Sequence, residues 1–197
     1  MTGTVHIWSD YVCPFCLIAD ELIERAVSDL PGVEVVHHPV ELRPYPTPTL
    51  RPEDDYLPSV WERAVYPMAG RYGVPMTLPT ISPQPYTELA FRGAQFAQDQ
   101  GAGQAYHRRM LRAFFQEDLD IGDRDVLVRL AAEVGLDPTA YLAALDDTAY
   151  SERHQRALSA AARLDISVVP TIVIGERRIN GVATEGVIRR ALEGVAA

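Results

Sequence analysis

The sequence predicts an α/β fold, a small four-stranded sheet interrupted by a large α-helical insertion subdomain. Three observations carry that reading. An alternating strand, an amphipathic helix and a second strand open the chain, and a β-branched hairpin with one helix closes it. Between them, residues 58–164 hold helical periodicity almost without a break. A strand–helix–strand unit makes parallel neighbours, and a late hairpin can bring the same sheet to four strands. One sheet face cannot cover six further helices, so residues 58–164 are expected to bud off as a subdomain.

Each element has its own signal. Thr4 to Ser9, TVHIWS, alternates and is rich in β-branched and aromatic residues, as a short strand requires. From Cys13 to Leu30, apolar residues recur at three- and four-residue spacings, which predicts a helix ended by Pro31-Gly32. Val33 to Leu42 reads as the second strand, with Pro39 marking an edge or a bulge. Five prolines between 44 and 58 then predict an extended loop. Helices are predicted over 59–72, 86–100, 103–115, 124–134, 138–145 and 149–164. Asp123 is a candidate N-cap, and Asp137-Pro138 combines a cap with Pro at the first helical position. Thr171 to Ile174 is a strand, Gly175-Glu176 a turn, and Arg177 to Asn180 the antiparallel return; Thr184 to Leu192 is the closing helix.

Composition excludes several classes. With 47% apolar and 23% charged residues over 197 positions, the chain has the balance of a globular protein and not of a disordered one. A net charge of −9 repels phosphate backbones, so nucleic acid is not an expected partner. All 18 basic residues are Arg, which removes any Lys-based Schiff-base or P-loop chemistry. The start, MTGTVHIWSD, shows no basic-then-apolar leader, and no apolar run reaches 18 residues. The expected address is the cytoplasm, with no membrane partner.

The chemistry is concentrated in Asp10-Tyr-Val-Cys13-Pro14-Phe15-Cys16, which holds both cysteines of the chain. Two residues between cysteines on a first helical turn bring the sulfurs within bonding reach. At the helix N-terminus, unpaired N–H groups and the dipole favour a thiolate on Cys13. Cys13 is therefore read as an exposed nucleophile and Cys16, deeper in, as the resolving thiol. Pro14 suits the opening turn because it lacks an N–H that would have no helical partner. Tetrahedral zinc needs four ligands, and no second cysteine pair exists, so no metal site is read here; nothing in the spacing of His6, His37 and His38 adds one.

Val169-Pro170 precedes the TIVI strand. By itself this proline is either a trans strand-start residue or a cis turn. Asp10 reads as a local turn or capping acid in preference to a group tuning the thiol. Trp8 reads as packing. His37 and His38 are adjacent on a strand and so face opposite sides. Tyr66, Met68, Tyr72, Met76, Phe91, Phe114 and Phe115 read as core in preference to a groove.

Together, WSDYVCPFC at a strand–helix turn, ELRP after the second strand, DIGDRDVLVRLAAEVGLD in the helical block and SVVPTIVIG resemble the thioredoxin superfamily. Within it they resemble the DsbA-like, FrnE-type dithiol oxidoreductases, over nearly the whole chain. The resemblance implies a thioredoxin-like domain of residues 1–57 and 165–197 carrying the inserted helical subdomain 58–164. It implies Cys13 as nucleophile, Cys16 as resolving thiol and a cis Pro170 packed beside them. It also implies that the Val169 backbone pairs with an extended substrate and that Pro14 and Phe15 tune the redox poise. Partners would be a thiol- or disulfide-bearing protein or small molecule and a cellular reductant or oxidant. No bound cofactor is implied, though glutathione is a possible co-substrate, and the chain would act as monomer or homodimer.

The chain departs from these relatives in Leu17-Ile18-Ala19-Asp20 after the second cysteine, in Val168 ahead of Val169-Pro170, and in lacking the further cysteine pair of some FrnE-type proteins. A second reading is a glutathione-dependent isomerase or transferase of the 2-hydroxychromene-2-carboxylate isomerase or kappa-class type. Those relatives carry Ser where Cys13 stands, which disfavours it. A third, non-enzymatic role as a chaperone-like module would need a sizeable exposed apolar patch.

Overall fold

The first strand, β1 (Thr2–Ser9), runs directly into the turn that carries the cysteines, and the rest of the sheet is arranged about it. The computed structural model describes residues 2–195. After β1 come α1 (Pro14–Val27) and β2 (Gly32–Pro39), then a helical block, then β3 (Thr171–Ile174), β4 (Arg177–Asn180) and α9 (Glu185–Val195). The sheet order is β2-β1-β3-β4, with β1 and β2 parallel and the other pairs antiparallel. This is the strand–helix–strand unit and late hairpin that the alternation predicts. Gly175 at φ 58° lets the β3–β4 turn close in the left-handed region.

The register fixes where the chemistry lies. Trp8 pairs with Thr171 and Ser9 with Pro39, so the end of β1, the end of β2 and the start of β3 meet at one edge of the sheet. Cys13, the segment after Pro39 and Val169-Pro170 are all delivered there.

The helical block comprises α2 (Tyr56–Val60), a π-helical turn (Trp61–Val65), α3 (Tyr66–Tyr72), α4 (Glu88–Asp99), α5 (Gly103–Glu117), α6 (Arg124–Glu133), α7 (Pro138–Asp146) and α8 (Thr148–Arg163). Its first helix begins three residues earlier than Ser59 because Pro58 falls within a first turn that needs no donor from it. The π turn ends just before Pro67, whose missing N–H cannot serve the preceding turn. The Asp123 and Asp137 side chains accept the N–H groups of Val126 and Ala140, as the capping signals predict.

Helix α1 is buried on both sides. Ala19, Ile23 and Ala26 pack with Val5, Ile7, Ile172 and Ile188 in the sheet core. Leu17, Ile18 and Leu22 pack instead with Phe91, Met110, Phe114 and their neighbours in the helical core. Only Glu21, Glu24 and Arg25 leave a narrow charged strip of this helix partly open to solvent. Phe91, Phe114, Phe115 and Met76 are buried core, as expected, whereas Met68 and Tyr72 are half-buried and Tyr66 is exposed at the surface.

Gly93 marks the tightest approach between helices. The Tyr106 hydroxyl hydrogen-bonds the Ala90 carbonyl at 3.0 Å and meets the Tyr141 hydroxyl at 2.6 Å. A Cβ at position 93 would overlap both hydroxyls. Gly93→Ala is therefore expected to cost about 1–3 kcal/mol as overpacking. Urea unfolding of the two chains measures it, and an unchanged midpoint would contradict the packing described.

Candidate functional site

Cys13 is the N-cap of α1, with extended backbone at φ −93° and ψ 111°, and Pro14 follows at the first helical position. The Cys13 N–H donates to the Asp10 carbonyl at 3.1 Å, and the Cys16 N–H to the Cys13 carbonyl at 2.9 Å. These two bonds set the cysteines one turn apart. Both are free thiols in this structure.

The Val169–Pro170 peptide is cis. Cys13 Sγ lies 3.8 Å from the Val169 carbonyl oxygen, a long contact that places this backbone directly over the sulfur. Trp8, Ala161, Ile166 and Val169 pack around Cys13 and Cys16, and Phe15 packs against the same cluster. All six predicted site residues thus converge at one place.

One expectation needs correcting. Cys13 is not openly exposed: only 5% of the residue is accessible, because Val169 and its neighbours close over it, and Cys16 is fully buried. Burial, with the adjacent Cys13, pushes the Cys16 thiol well above its ordinary pKa. The inner sulfur is thus held as a thiol.

Asp10 also differs from expectation. It does not cap α1 with its side chain. Its carbonyl already makes the turn bond to Cys13, which leaves the carboxylate to reach across the site. There Oδ2 accepts the Leu42 N–H at 2.7 Å, and Oδ1 is buried without a partner. Burial raises this carboxyl from 3.8 to about 6, the Leu42 hydrogen bond offsetting part of the effect.

Two further polar groups sit close by and have no signal in local sequence. His154 of α8 is fully buried and meets Glu41 through Nε2 at 2.5 Å. Their separation of 113 positions hides the pair from any pattern argument. His37 and His38 do face opposite sides. His38 stacks on Trp8 at 4.4 Å between ring centroids, while His37 contacts Asp20 at 2.9 Å.

Because Asp10 holds protons in the folded state over a range where the unfolded chain has lost them, its contribution to stability falls as pH rises from about 4 to 6. Asp10→Asn keeps an oxygen for Leu42 and removes the charge. It is expected to gain about 2–3 kcal/mol over the parent above pH 7, and close to nothing at pH 4. Denaturant midpoints across that range test it, and a gain independent of pH would refute the ionisation argument.

Comparison with known proteins gives a family and a fold. Residues 4–193 match the sequence family described as DSBA-like thioredoxin domain. YwbO of Bacillus subtilis, an uncharacterized protein, is 43% identical over 196 residues, spanning 98% of this chain and 96% of its own. A Streptomyces coelicolor structure described as a probable DsbA oxidoreductase superposes with a TM-score of 0.79 at 27% identity, covering 98% of this chain and 90% of that one. The cytosolic disulfide reductase DsbM of Pseudomonas aeruginosa, solved with GSH, gives 0.75 at 20% identity over 98% of both chains, a likeness of fold.

Proposed function

The chain belongs to the DSBA-like thioredoxin domain family, and from that premise we propose that it is a thiol-disulfide oxidoreductase in which Cys13 attacks and Cys16 resolves. The single observation that carries the reading is Cys13 at the N-cap of α1, one turn from Cys16 and beneath the Val169 carbonyl. N-terminal N–H groups of a helix favour negative charge on the outer sulfur.

The cycle balances with the groups present. The Cys13 thiolate attacks one sulfur of a partner disulfide, forms a mixed disulfide and expels the other sulfur as thiolate. Cys16 then loses its proton and attacks Cys13 Sγ, releasing the second partner thiol and closing the Cys13–Cys16 disulfide. Two electrons pass to the partner, and a dithiol reductant returns the Cys13–Cys16 disulfide to the dithiol; in the reverse direction the disulfide form oxidises a partner dithiol. Asp10, buried in the same turn and titrating near 6, is the acceptor suited to the Cys16 proton.

An extended partner would pair its backbone with Val169, and Pro170 would hold that edge against the sulfurs. Pro14 and Phe15 set the poise between the two redox states. Partners are disulfide- or thiol-bearing proteins or small molecules, and glutathione is the small thiol to try first, given its presence with DsbM. The cytoplasm is the proposed location. Among the described residues no helix is long and apolar enough to cross a membrane. Both sulfurs at the helix start argue against the isomerase alternative, which needs no dithiol.

Cys13→Ser is expected to abolish turnover in insulin reduction and in dithiol oxidation. Cys16→Ser should instead accumulate a mixed disulfide on Cys13, visible by intact-protein mass spectrometry. Full turnover in Cys13→Ser would overturn the assignment.

A further inference from the structure

Away from the sulfurs, three elements bring one carboxylate and two imidazoles to a single point. Asp20 of α1, His37 of β2 and His107 of α5 place Asp20 Oδ1 2.9 Å from His37 Nε2 and 3.7 Å from His107 Nε2. All three atoms lie within 4.8 Å of one another. The two rings stack at 3.7 Å between centroids with 27° between planes, so both nitrogens meet the carboxylate.

Hydrogen bonding alone does not satisfy this cluster. His37 can donate its Nε2–H to Asp20, but His107 Nε2 is buried without a partner. If it carries a proton, a donor is stranded; if it does not, its lone pair confronts a carboxylate. Either arrangement costs roughly 1–3 kcal/mol. One cation between the three atoms removes the conflict, with each neutral ring keeping its proton on Nδ1.

The ligand spacing suits such an ion once the two stacked rings splay apart to aim both lone pairs at it. Bonds of about 2.0–2.2 Å from imidazole and carboxylate set neighbouring ligand atoms roughly 3–3.5 Å apart, between the 2.9 Å and 3.7 Å separations found here. A cavity of about 220 Å³, lined by His37, His107, Gln95 and Gln104, adjoins the cluster and offers both an entry path and room for a water ligand.

We propose that Asp20, His37 and His107 bind one divalent transition-metal ion of the zinc class, with a water from the adjoining cavity completing the coordination. Two imidazoles and one carboxylate suit such borderline ions over calcium or magnesium. The sequence reading expected no metal because the three ligands are 17, 70 and 87 positions apart in the chain. Bound there, the ion would tie the dithiol helix to the sheet and to the helical block.

Cysteines and the His6–His38 pair are competing ligands, so the test uses the full-length Cys13→Ser/Cys16→Ser chain and Co²⁺ or Zn²⁺ as probe. One equivalent of Co²⁺ is expected to give visible ligand-field bands without thiolate charge transfer. Asp20→Asn and His107→Gln should each weaken uptake at least about tenfold, while His38→Gln leaves it intact. If a substitution unfolds the chain, ring-proton resonances of the parent double variant decide: Zn²⁺ must shift His37 and His107. Absence of saturable uptake, equal affinity in His107→Gln, or shifts confined to His6 and His38 would each overturn the proposal.

Discussion

The structure turns on one helix clamped between two apolar cores. Helix α1 packs Ala19, Ile23 and Ala26 against the sheet and Leu17, Ile18 and Leu22 against the helical block. Its axis is therefore fixed from two sides, and its N-terminus cannot swing. Cys13 caps that fixed end, so the direction in which its sulfur points is inherited from buried Leu, Ile and Ala side chains about one to four turns away. Fully burying each aliphatic side chain contributes about 1.5–3 kcal/mol, enough that the sulfur's placement survives the loss of any single local hydrogen bond.

The sheet adds the second fixed reference. Because β1 and β2 run parallel and β3 antiparallel, their functional ends coincide at Trp8, Ser9, Pro39 and Thr171. The Val169 carbonyl then stands over Cys13, its segment braced where the Gly181 N–H donates to the Pro170 carbonyl and the Thr171 hydroxyl to the Val168 carbonyl. The same convergence delivers Leu42, whose N–H meets the Asp10 carboxylate. A nearly closed outer sulfur follows from this crowding, and so does a raised carboxyl beneath it. Reactivity at such a site depends on a partner fitting the narrow gap beside Val169.

Much of this was legible in the sequence, for reasons tied to particular residues. The TVHIWS alternation, the β-branched TIVI and the three- and four-residue spacing after Cys13 are local, and each produced the element it predicts within a few residues. The cysteine pair was legible because both sulfurs sit on one turn. Asp10 was misread because its carboxylate is taken by the Leu42 N–H, 32 positions away, a contact local sequence does not show. Glu41 with His154, and Asp20 with His37 and His107, could not be seen, since their chemistry arises only when distant elements pack.

That last point has a physical consequence for α1 itself. The buried face of a helix tolerates a carboxylate only where partners compensate the loss of water, and α1 carries buried Asp20 in its middle. His37 and His107 approach it from the two layers between which α1 is clamped, one from the sheet and one from α5. Asp20 thus lies at the seam where those layers meet. Replacing it with an aliphatic residue would relieve its desolvation but leave the buried His107 and the half-buried His37 without a carboxylate between them. The polar cluster is consequently retained or lost as a unit, and the docking of sheet, dithiol helix and helical block is specified by a directional contact that apolar packing alone does not supply.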